Sequence, residues 1–231
     1  MLKQTARTLL AVLGLAGSAA GTPVAELGDA GATLGTAQSI SILQFTLPQP
    51  ADTFDFGPTV TINGAGDGYD VDFFRLDFST RVDLIIDVDD ITTFDTYLAL
   101  LDATGRMIAY NDDSGGDPGS SSDLHSFLGI VTLNPGAYYV AISEALNRPF
   151  NPWEYAAVAL FRPDGQQGGA LIPDGPTPSY AETGPAGEGA YTLHLSYRDN
   201  QGPDGAIPEP GAFVLTGIGL LAAGAFRWLR R

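Results

Sequence analysis

Val82-Asp83-Leu84-Ile85-Ile86-Asp87-Val88 and Tyr191-Thr192-Leu193-His194-Leu195-Ser196-Tyr197 decide the fold class. Both alternate apolar and polar side chains at a spacing of two, so a strand built from either has one face for a core and one for water. Working outward, similar β-branched and aromatic runs predict strands at Ser39–Phe45, Thr59–Ile62, Val71–Phe78, Tyr97–Leu101, Met107–Tyr110, Ser126–Thr132, Tyr138–Ser143 and Tyr155–Leu160. The runs are punctuated by Gly (29 in the chain), Pro (16) and Asp, the residues of tight turns. No segment between the two ends has a convincing helical period. The expectation is all-β: two packed antiparallel sheets, a β-sandwich. Residues at about 145–188 are rich in Gly and Pro and poor in apolar residues apart from Leu171-Ile172. They read as a long surface insertion with little regular structure.

Charge narrows the class of partner. The chain carries a net charge of −16, and between its two ends there are 26 Asp and Glu against six Arg and no Lys. Such a field repels phosphate backbones, which excludes nucleic acid as an expected partner and favours cations. With Cys 0, the chain has neither disulfides nor thiolate chemistry.

The ends have their own anatomy. Residues 1–20 combine Lys3 and Arg7, the apolar run Leu9–Ala16 and the small residues Ser18-Ala19-Ala20, the three parts of a cleavable secretory signal with its short helix. After a linker at 200–206 come Ile207-Pro208-Glu209-Pro210-Gly211, the apolar stretch Ala212–Phe226, which reads as a hydrophobic transmembrane helix, and Arg227, Arg230 and Arg231. Residues 207–231 resemble the PEP-CTERM sorting signal of Gram-negative bacteria. The resemblance implies that signal peptidase and an exosortase process the chain, with Pro208, Glu209 and Pro210 as the sorting motif. It further implies a transient anchor in the inner membrane, then a cell-surface or extracellular location.

The middle of the chain carries a second resemblance. Asp70-Val71-Asp72-Phe73-Phe74-Arg75-Leu76, Asp95-Thr96-Tyr97-Leu98-Ala99-Leu100, Asn111-Asp112-Asp113-Ser114 and Pro135-Gly136-Ala137-Tyr138-Tyr139-Val140 occur in the order found in bacterial pre-peptidase C-terminal (PPC) domains. Glu26-Leu27-Gly28-Asp29 resembles the opening acidic motif of that family. The likeness covers roughly residues 25–199 and implies a jelly-roll-type sandwich that is a non-catalytic appendage. It also implies a calcium site made by Glu26, Asp29, Asp70 and Asp72. Gly28 stands where the family often has Asn, with Asp67 nearby as a replacement oxygen donor. The plain alternative is that these acids cap turns and face water.

Other chemistry is thinner. Asn111-Asp112-Asp113 with Asp117 lacks the glycine and distal glutamate of an EF-hand and reads as a solvated turn, while Asp87, Asp89 and Asp90 read as a strand end. Ser114 between Asp113 and Gly115 superficially resembles a serine-protease nucleophile, but the only histidines, His125 and His194, follow it. Trp153, Tyr155 and Tyr180, in or beside the insertion, are candidate carbohydrate-stacking aromatics or pins that hold it down. The expected function is an exported, exosortase-sorted, non-catalytic surface or matrix protein that binds polysaccharide or protein with structural calcium. The alternatives are a small secreted glycosidase-like hydrolase and a purely structural matrix component.

Overall fold

The computed structural model describes residues 23–26, 30–45, 57–67, 71–89, 92–113, 122–145, 158–161, 167–173, 175–177 and 188–200. Twelve strands occur among them: β1 (Val24–Ala25), β2 (Gln38–Ile40), β3 (Thr59–Asp67), β4 (Val71–Phe78), β5 (Val82–Asp89), β6 (Thr96–Asp102), β7 (Met107–Asn111), β8 (Phe127–Leu133), β9 (Gly136–Glu144), β10 (Val158–Phe161), β11 (Gln167–Leu171) and β12 (Glu188–Asp199). They form a five-stranded sheet, β1-β3-β12-β5-β8, and a seven-stranded sheet, β10-β11-β7-β6-β9-β4-β2. The expected signal helix and C-terminal hydrophobic helix lie outside the described residues, among which no helix is long and apolar enough to cross a membrane.

The inward residues of both sheets meet in one core. Val82, Leu84, Ile86 and Val88 of β5 and Leu193 and Leu195 of β12 pack with Phe74, Leu76 and Phe78 of β4, Leu98 and Leu100 of β6, and Val140 and Ile142 of β9. Side chains of this size contribute roughly 1.5–3 kcal/mol each when fully buried, so the two alternating stretches, paired side by side in the five-stranded sheet, are stabilised by burying their apolar face against the other sheet. A second cluster forms on the other face of the seven-stranded sheet, where Val71, Phe73, Tyr97, Leu101 and Met107 pack with Ile172. That sheet is therefore covered on both faces, which explains the nearly unbroken apolar run Tyr97–Leu101.

Three features depart from the sequence expectation. The sheets are mixed rather than purely antiparallel, because β1 pairs parallel to β3 and β2 parallel to β4. Both are short edge strands separated from their partners by long stretches of chain, as parallel pairing requires. The strand expected over Ser39–Phe45 stops at Ile40. Ser41 caps a 3-10 turn at Ile42–Gln44, accepting from the Leu43 amide while the Gln44 side chain accepts from the Ser41 amide at 2.6 Å. The insertion also contains regular structure: β11 pairs with β7, and the Ile172 amide donates to the Ile108 carbonyl at 2.7 Å.

Candidate functional site

The alternating strand directions give the sandwich two chemically different ends. At the upper end β3, β5, β7 and β9 finish and β4, β6, β8 and β12 begin. There the sequence places Asp67, Asp72, Asp87, Asp89, Glu144 and Glu188 on or beside the strand termini, with Asp95, Asp112, Asp113 and Asp123 in the adjoining turns. Among the described residues no Arg or Lys stands at this end. Arg75 lies within β4, and Arg81, Arg106 and Arg198 lie at or near the lower strand ends.

Glu26, after β1 of the five-stranded sheet, and Asp72, on β4 of the other, both lie near Tyr191 of β12. Glu26 follows β1, and its carboxylate bridges two backbone segments: Oε1 accepts from the Ala30 amide at 2.8 Å and Oε2 from the Ala65 amide of β3 at 2.9 Å. Asp72, at the start of β4, is 2% exposed, and its Oδ2 accepts from the Tyr191 hydroxyl at 2.8 Å. Gly64 joins the two acids. A Cβ there would stand 2.7 Å from Glu26 Oε2 and would overlap the Tyr191 ring and hydroxyl. The missing side chain leaves room for the phenol to lie across β3 near Glu26, with its hydroxyl on Asp72. Phe94 packs edge-on against Tyr191, at 6.4 Å between centroids, and holds the ring from behind.

These two acids fit part of a hard-cation donor set. Carboxylate oxygens are what calcium takes, and an oxygen that accepts one amide retains a second lone-pair direction. Six to eight ligands are needed, however, and among the described residues no group of three or more acid or imidazole side chains could hold a metal. Asp29 and Asp70, the other two expected ligands, lie outside the described residues, as do Trp153, Tyr155, Tyr180, Pro208, Glu209 and Pro210. Asp67 lies at the end of β3.

The remaining acids divide by burial. Asp87 and Asp89, expected at a strand end, close β5 and are 1% and 0% exposed. Asn111, expected in a solvated turn, is buried and donates to the Phe127 carbonyl at 2.6 Å, whereas Asp113 is exposed. Beside it the Ser126 hydroxyl lies 2.6 Å from the Thr96 carbonyl and 2.7 Å from that of Asp112, tying β6, β7 and β8 together. A pocket of about 150 Å³ opens nearby, lined by Thr92, Thr93, Phe94, Asp95, Ser122, Leu124 and His125. The Ser122 hydroxyl oxygen accepts from the Leu124 amide at 3.1 Å. His194 is half-buried on β12 and shares a hydrogen bond with Thr61 at 3.0 Å.

Solved structures similar to this chain include the pre-peptidase C-terminal domain of collagenase from Bacillus anthracis, at 15% identity and a TM-score of 0.33, covering 62% of this chain and 91% of that one. No protein-family model matches the chain, and no curated protein matches it.

Proposed function

We propose that this chain is an exported, exosortase-sorted, non-catalytic surface or matrix protein. Its PPC-like, jelly-roll-type sandwich holds calcium as a structural ion at its acidic end. The observation that supports the reading best is that Asp72 accepts from the Tyr191 hydroxyl while Glu26, which follows β1, comes close to the same Tyr191, at an end with no described cation. Asp29 and Asp70 complete the donor set in this reading. A calcium ion there would offset the mutual repulsion of acids gathered at the strand ends and fix the turns that carry them. Polysaccharide or protein is the ligand in this reading, with Trp153, Tyr155 and Tyr180 as stacking aromatics.

Calorimetric melting of the purified chain tests the cation. A ligand selective for the folded state raises Tm with concentration, so calcium shifts Tm upward, chelator reverses the shift, and Asp72→Ala abolishes it. An identical Tm with calcium and with chelator overturns the site. The competing hydrolase reading uses the same acidic end, and turnover of a polysaccharide or peptide panel by the purified chain would favour it instead.

A further inference from the structure

We propose that the lower end of the sandwich rests on the lipid bilayer while the chain is anchored by its tail, with Ile42 and Leu43 as the contact. This rests on the sorting reading above, which places Ala212–Phe226 in the membrane.

Three observations converge on that end. The first is an exposed apolar tip: Leu43 is 89% and Ile42 40% exposed. The capping box of Ser41 and Gln44 fixes this turn in place. It stands beside a groove of about 200 Å³ whose walls include Ile42, Phe78, Val82 and Tyr197. Phe45 supports the turn from beneath, edge-on to Tyr197 at 5.0 Å.

The second is where the described chain leaves the sandwich. Asp199 lines the same groove, and the Asn200 amide donates to the Arg81 carbonyl at 2.8 Å, so the segment toward the tail departs beside Ile42. Eleven residues separate Asn200 from Ala212. At about 3.3–3.6 Å per residue they reach roughly 40 Å at full extension. The 12-residue β12 is itself about 40 Å long, so turning the upper end to the membrane would consume the whole reach.

The third is charge. Among the described residues the acids of the lower end are each held locally: Asp77 by Arg75, Asp83 by Arg198 and Asn200, Asp102 by the Thr104 and Arg106 amides, and Asp199 by Thr80. The upper end has acids and no described arginine or lysine. An anionic leaflet therefore repels the upper end and tolerates the lower one. Together with the exit point, this selects a bilayer as the occupant of the tip.

The chain has no cysteine, so a single introduced one takes a label cleanly. The full chain carrying Leu43→Cys, or Asp123→Cys at the exposed upper end, is labelled with an environment-sensitive fluorophore. It is then reconstituted into phosphatidylcholine–phosphatidylglycerol vesicles. The chain should float with the vesicles. The label at position 43 should shift to the blue and be quenched at least twofold by spin-labelled lipid, while the label at 123 keeps its aqueous emission. Flotation with an aqueous label at position 43 overturns the contact and leaves the sorting reading standing. Failure to float overturns the membrane anchor and the contact with it.

Discussion

Asp83 shows how the lower end tolerates its acids. Burial pushes this carboxyl up, but hydrogen bonds from Thr132, Asn200 and Arg198, together with the Arg198 charge, outweigh it and hold Asp83 below the usual carboxylate range. A carboxylate lowered on folding adds stability above its unfolded value near 3.9. That stability is lost as pH falls through 3.9 toward the lower folded value. Urea midpoints measured from pH 6 downward should therefore fall less steeply for Asp83→Asn than for the native chain; equal slopes would contradict the network. At the other end, Gly64→Ala forces a methyl group into the Tyr191 ring and against Glu26, and should cost about 1–3 kcal/mol by urea unfolding. A neutral result would mean that the phenol does not lie across β3. Asp72 was legible as a candidate ligand from its motif. Tyr191 was not, because its hydroxyl reaches Asp72 from 119 residues away and only the sheet pairing brings the two together.

At the scale of elements, alternation located β5 and β12 well, but it could not say which outer faces would be covered. Asp87 and Asp89 sit on the face opposite the core residues of β5 and are nevertheless buried, since burial depends on what packs over a strand and not on its period. The break after Ile40 had a local signal: Ser41 and Gln44 stand at the capping-box spacing. β11 had almost none. Gln167-Gly168-Gly169-Ala170 has poor strand propensity, and Gly169 adopts φ 81° where its backbone passes the Tyr110 carbonyl and the Leu128 side chain. The retained clue was the apolar pair Leu171-Ile172. Ile172 is 3% exposed in the second core, so Ile172→Ala should lower unfolding free energy by about 2–5 kcal/mol. A loss below about 0.5 kcal/mol, the usual range for a surface position, would show that this part of the insertion does not pack on the sheet.

For the molecule as a whole, the alternating strand directions give two ends with different chemistry. One gathers acids around Glu26, Asp72 and Tyr191; the other holds Arg81, Arg106 and Arg198, the apolar Ile42–Leu43 tip and the departure toward the tail. Sequence composition revealed the excess of acid but not its polarity, which depends on which strand termini share an end. The sorting reading draws on segments at the two ends of the sequence, so it is best tested on the chain as cells leave it. Cell fractionation followed by intact-mass measurement tests the central claim most directly. The predicted result is a surface or extracellular species trimmed near Ala20 and lacking the hydrophobic tail that follows Pro208-Glu209-Pro210. A species of full-length mass, or one that retains that tail and stays in the inner membrane of exosortase-competent cells, would contradict it.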